Sequence, residues 1–175
     1  MTSKFNNVYI GDAVTIASVY EKDGPIAADF DLVYDKDLYY GCDTFEKAEE
    51  KLLHDSIKRL IDKSKLQLND INYVISGDLQ NQILASTLAV SNQGISSLGI
   101  YSACASFVEG LIIASMFVNS TNSNIIVSSS SHNLAAEKQY RFPIEYGALR
   151  RKVNTCTASG SVAALISRRK SNIKI

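Results

Sequence analysis

The sequence predicts an α/β fold built on a mixed, mostly parallel sheet, and three observations carry that expectation. Short β-branched runs alternate with longer helical segments in the order β-α-β-α-β-α-β-β, giving five strands with helices on both faces. The chain has 175 residues, 46% hydrophobic and 21% charged, which suits a single globular domain over residues 1–175. Charge is also strongly segregated. Residues 1–78 carry 15 acidic and 9 basic side chains, and residues 137–175 carry 2 and 9. Between them, Glu109 is the one charge in residues 79–136, where average composition would place about 14. Such a segment is expected to be covered on more than one side.

The elements follow in order. Val8 to Val19 is β-branched and aromatic and reads as a strand, stopped at Asp23-Gly24-Pro25. Ala27 to Gly41 is acidic with weak periodicity and reads as an excursion loop. Asp43 with Glu46 three residues later reads as a capping box opening a helix to about Lys65. Ala48, Leu52, Leu53, Ile57, Leu60 and Ile61 form its apolar stripe, and His54 lies beside that stripe at the boundary. Ile71 to Ser76 is a short strand, Gln80 to Val90 a helix and Leu98 to Tyr101 a strand. Ala105 to Val118 is a helix that is apolar all round, Ile125 to Ser129 a strand, and Thr155 to Ser167 the fifth strand. Asn172 to Ile175 begins a further alternating run.

Several function classes are excluded. Lys+Arg and Asp+Glu balance at 18 each, so no net field favours nucleic acid. Three cysteines, Cys42, Cys104 and Cys156, have the spacing of neither a disulfide framework nor a metal site. No cofactor is expected. Met1 to Asn7 has no apolar leader, and no uninterrupted run of 18 apolar residues predicts a membrane span.

The sharpest local feature is the turn around Cys104. In GIYSACASFVEGL, from Gly99 to Leu111, a strand ends at Tyr101, Ser102 and Ala103 make the turn, and Cys104 opens a helix. Unpaired N–H groups and the positive end of the helix dipole favour a thiolate there, as in nucleophilic cysteines, and the same groups suit an oxyanion or carboxylate. A small cysteine packed into a tight turn is the alternative. Catalysis would also need a base. His132, after the fourth strand at the sheet edge where ligands collect, is the candidate, with a structural role as its alternative. Glu109 lies about 140° around the helix from the thiol and is expected to satisfy a buried donor.

Four stretches carry a family resemblance: SGDLQNQ at Ser76–Gln82, SACASFVEGL at Ser102–Leu111, SSHNLAAEKQYRFPIEYG at Ser130–Gly147, and TCTASGSVAALIS at Thr155–Ser167. The sequence resembles the stage V sporulation protein AD family, a branch of the thiolase-like fold. The resemblance implies a thiolase-like β-α-β-α-β-α-β-β half, the first of two, with the C-terminal half, and its catalytic His and Asn, missing. It implies a sporulation protein of the spore or forespore, cytoplasmic or peripheral to the inner membrane. Such a protein would bind dipicolinate (pyridine-2,6-dicarboxylate) and work with other spore membrane proteins of the same system. By resemblance Cys104 takes the position of the thiolase-like nucleophile, and Asp78, Asn81, Ser131, His132 and Asn133 border it. Ser102, His132 and the helix start are the expected donors to a bound dianion, with Arg141 a nearby cation. A thiolase-like acyltransferase or condensing enzyme acting through acyl-Cys104 is the alternative, and a half-chain without activity is a third reading. The all-apolar helix further leads us to expect a homo-oligomer.

Overall fold

The fold is organised by one sheet, and the candidate residues among those described lie at or just after the carboxyl ends of three of its strands. The computed structural model describes residues 4–140 and 157–175. Strands β1 (Tyr9–Ala17), β2 (Leu32–Val33), β3 (Tyr73–Gly77), β4 (Ser97–Gly99), β5 (Ile125–Ser131), β6 (Gly160–Ser167) and β7 (Ile173–Lys174) form it. Their order is β2-β1-β6-β5-β3-β4, with β7 paired to β1. Strands β3, β4 and β5 run parallel, and β6 runs antiparallel to both β5 and β1. Seven strands are present among the described residues. Beyond the five expected, β7 falls in the alternating run read from Asn172 to Ile175, and β2, two residues long and too short to show a period in sequence, lies within the expected excursion loop.

Helices α1 (Phe45–Ser64) and α2 (Leu84–Ser91) cover one face, and α3 (Ser106–Ser120) the other. The α1 stripe is buried as its spacing predicts: Leu52, Leu53, Ile57 and Leu60 are wholly inaccessible and pack on Val14, Ile16, Val74, Ile126 and Leu165. Each such side chain contributes about 1.5–3 kcal/mol of transfer free energy. The cap differs from expectation. Thr44, not Asp43, is the N-cap, its hydroxyl accepting the Lys47 N–H at 3.2 Å, while Asp43 pairs with the Lys47 ammonium at the surface. Helix α2 starts later than expected, because Asn81–Ile83 forms a 3-10 turn in which Gln82 and Ile83 have φ of 58° and 50°. A fourth helix, α4 (Asn133–Tyr140), follows β5 where the sequence suggested a turn.

The charge-poor middle third is not covered as predicted. Strands β3 and β5 are buried, and Gly110, Ala114 and Val118 seat α3 on the sheet. Gly110 allows a close approach, since a Cβ there would lie 2.7 Å from Val127 Cγ1. Yet only 28% of the apolar stretch Ala103–Ser120 is buried, and its far side faces outward. That stretch has the length and composition of a membrane span, which the sequence reading had not found, although one side of it is a seat on the sheet.

Leu52→Ala is expected to lower the unfolding free energy by about 2–5 kcal/mol in chemical denaturation. Leu68→Ala, at an exposed position outside the core, should leave it within about 0.5 kcal/mol.

Candidate functional site

The C-terminal ends of β1, β3 and β5 meet the start of β6 at one edge of the sheet, where Gly77 aligns with Ser129 and Ala17 with Gly160. There a cavity of about 740 Å³ opens between the serines ending β5, the start of β6, Ile26 and Phe30 of the excursion loop, and Cys104 and Phe107 at the head of α3. Glu21 is the one charged side chain among its described lining residues.

Cys104 does not open the α-helix itself. It sits in a 3-10 turn, Ala103–Ala105, and α3 proper begins at Ser106. Ala103 takes a left-handed φ of 47°, which swings the chain out and leaves the Cys104 thiol exposed. Ser106 braces the turn, its Oγ accepting the Ser102 N–H at 3.1 Å and donating to the Ala103 carbonyl at 2.9 Å. Gly77 lets the strand ends close beneath it, since a Cβ there would stand 2.5 Å from the Ile100 oxygen. Among the described residues no side chain caps the start of α3. The edge therefore offers an exposed thiol, backbone N–H groups and hydroxyls, with Phe30 and Phe107 for an aromatic face.

Of the other expected residues, Ser131 lines the cavity, its hydroxyl donating to the Ala158 carbonyl at 2.7 Å. Ser102 lies exposed two residues before the cysteine. His132 is fully buried and faces away: Nε2 donates to the Leu38 carbonyl at 2.8 Å, and Nδ1 accepts the Leu134 N–H at 3.2 Å. Its ring stacks on Phe45, and burial lowers its pKa, so it is held neutral with both nitrogens engaged. Asn133 ties β5 to the approach to β6, its backbone N–H donating to Ser159 Oγ and its amide to the Thr157 carbonyl, each at 2.8 Å. Asp78 is buried below the rim, accepting from the Gln80 N–H at 2.7 Å and from the Ser86 N–H and hydroxyl at 2.7 and 2.6 Å. It anchors the strained turn on which Asn81 lies exposed, outside the cavity lining. Arg141 and Cys156 lie outside the described residues. Glu109 departs from expectation: its Oε2 is buried and meets no hydrogen-bond partner among the described residues. No group of three His, Cys, Asp or Glu suited to a metal occurs among the described residues.

Sequence reasoning missed Glu49. It is fully buried on α1, accepting from Gln80 Nε2 at 2.8 Å and Ser130 Oγ at 3.1 Å, with a further backbone bond from His132. Burial, reinforced by the nearby Asp78 carboxylate, outweighs those bonds and raises its pKa from 4.5 to about 7. One carboxyl thus joins α1 to the turn after β3 and to the end of β5, the two elements that carry Leu79 and the rim serines. The available signal was its position three and four residues before Leu52 and Leu53, on the buried face.

The stage V sporulation protein AD (SpoVAD) family matches residues 1–175. A stage V sporulation protein AD of Bacillus subtilis (strain 168) is 32% identical over 169 residues, covering 96% of this chain and 50% of that protein. The chain thus spans about half the length of this curated relative. Among solved structures, a 3-oxoacyl-(acyl-carrier-protein) synthase III superposes with a TM-score of 0.62 at 13% identity, over 95% of this chain and 51% of that one. An OleA variant from Xanthomonas campestris gives 0.61 at 13% identity, over 94% and 57%. These likenesses establish the thiolase-like fold.

Folded Glu49 keeps its proton to about pH 7, whereas the unfolded carboxyl releases it near 4.5, so the folded state binds more protons between those values. Stability from this group is therefore present at pH 4.5 and is lost as pH rises through 7, by about 3 kcal/mol. His132 acts oppositely, its lowered pKa costing stability as pH falls below 6.5. Glu49→Gln should remove the decline between pH 5 and 8 in denaturation measurements and keep the His132 limb. For the thiols, in a Cys156→Ser background, iodoacetamide should modify exposed Cys104 well before Cys42, which is partly buried and whose pKa is raised by burial. Peptide mapping at partial conversion reads the order.

Proposed function

Because this chain belongs to the stage V sporulation protein AD family, we propose that it acts in sporulation as a binding component for dipicolinate rather than as a condensing enzyme. The observation that carries this reading is the separation of thiol from base. Cys104 is open to the cavity, while His132 holds both ring nitrogens in hydrogen bonds to the backbone and faces away from it. A thiol without a base beside it cannot be cycled through acylation and condensation efficiently. What remains at the edge is suited to holding a flat anion. Hydroxyls and uncapped N–H groups meet carboxylate oxygens, and Phe107 and Phe30 meet a ring face.

The described lining lacks a cation and includes Glu21, which disfavours a dianion. Affinity of this chain alone is therefore expected to be weak, with Kd on the order of 1 mM. In the relatives the remaining half of the length would supply a further wall. We place the protein's work at the spore inner membrane, peripherally, beside other spore membrane proteins of the same system.

Dipicolinate at millimolar concentration should slow alkylation of Cys104 without affecting Cys42, and pyridine should not. Equal Cys104 rates with and without dipicolinate would count against the site. The alternative, a thiolase-like acyltransferase using Cys104 as nucleophile, predicts a stable acyl adduct on Cys104 by intact mass after incubation with acyl-CoA.

A further inference from the structure

The turn that leaves β3 for α2 is a strained part of the cavity wall. Leu79 lines the cavity, and just beyond it Gln82 and Ile83 are both left-handed, with φ of 58° and 50°. Side chains, above all a β-branched one, take up that region only under restraint. The restraint here is polar and buried. The Gln80 backbone N–H donates to Asp78 Oδ1 at 2.7 Å, and its side-chain Nε2 donates to Glu49 Oε2 at 2.8 Å. Gln80, itself buried, thus bridges two buried carboxyls, one from its own turn and one from α1. Asp78 also accepts from the Ser86 N–H and hydroxyl, so it stays held if Gln80 moves away. The Gln80 amide is what ties the turn across to α1.

We infer that this turn is a gate in the cavity wall, latched shut through Gln80 while Glu49 carries a proton and opened when Glu49 is ionised. An ionised Glu49 would stand fully buried near the Asp78 carboxylate, with Gln80 shared between them. Such a charge is relieved by admitting water, and the segment already under restraint is the cheapest to open. The groups packed on Glu49 supply no cation to hold it. Among the described residues α2, β5 and β6 carry no titratable side chain. On β1, Tyr9 and Asp12 lie toward the end of the sheet remote from the rim. The His132 ring is turned to Leu38 and Leu134, and its backbone N–H, not its ring, meets Glu49. On α1 itself, Glu46 adds a further carboxyl, while Lys47 pairs with Asp43 and Lys51 donates to the Tyr40 carbonyl. Opening would carry Leu79 out of the wall, so the gate sets the width of the cavity whichever ligand enters it.

Hydrogen–deuterium exchange of the full chain, without ligand and read as protection factors at pH 5.5 and 8, tests the gate. Closed, Glu49 keeps its proton to about pH 7, and hydrated it keeps it only to 4.5, so protection of amides 80–86 should fall about 30-fold between the two conditions. It should stay well below that of the β5 amides at both, because the opening is local. Glu49→Gln should keep the turn equally protected at both pH values. Gln80→Leu, which cannot donate, should leave it poorly protected at both, with circular dichroism showing each variant folded. A turn in the unsubstituted chain whose protection is the same at pH 5.5 and 8 would overturn the gate. So would turn and β5 amides equally protected at each pH, the mark of global unfolding, or a turn that still responds to pH in Glu49→Gln. No ligand is present in these measurements, so their outcome is separate from that of the dipicolinate protection experiment.

Discussion

The antiparallel insertion of β6 between β1 and β5 is the constraint on which the site depends. Strands β3, β4 and β5 end together because parallel pairing aligns their carboxyl ends. Without β6 the first strand would have no route into that group. By pairing with β5 on one side and β1 on the other, β6 brings Ala17, Ser131 and Gly160 into one row. Gly160 is needed there because a Cβ would stand 2.7 Å from the Ile16 carbonyl oxygen. The cavity beside Cys104 is the space left where that row meets the head of α3. Asn133, holding Ser159 and Thr157, keeps the entry to β6 in place.

Much of this was legible in the residues, and the failures have physical causes. The α1 stripe was readable because a twenty-residue amphipathic helix repeats its period several times over one core. Strand β2 was not, because two residues contain no period. The late start of α2 was hidden because Asp78, eight residues upstream, supplies the acceptor for Ser86, and no local pattern announces so distant a cap. The cysteine turn was found from small residues between a strand and a helix. The left-handed Ala103 that makes it a 3-10 turn was not, since alanine gives no sign of positive φ.

The charge-free middle third was read as a buried segment, and the structure divides it into two kinds of apolar surface. Ile75, Val127 and Ala114 are apolar because the sheet and α3 bury one another. Val108, Ile112 and Met116 are equally apolar yet more than half exposed among the described residues. Composition alone cannot separate the two kinds, because both simply lack charge. Only the geometry shows which side of α3 is covered by the described sheet.

Two of the buried titratable groups near the edge, Glu49 and His132, are held by bonds that fix the backbone around the cavity. Glu49 and His132 are the residue types that acid–base chemistry would recruit, and both lie within reach of the rim elements. Each is instead committed to fixing backbone: Glu49 gathers Gln80, Ser130 and the His132 N–H, and His132 in turn holds Leu38 and Leu134. Moving either toward the thiol would leave buried donors or acceptors without partners, at about 1–3 kcal/mol for each. The polar groups that hold the rim are therefore committed to its backbone, beside an exposed Cys104 thiol.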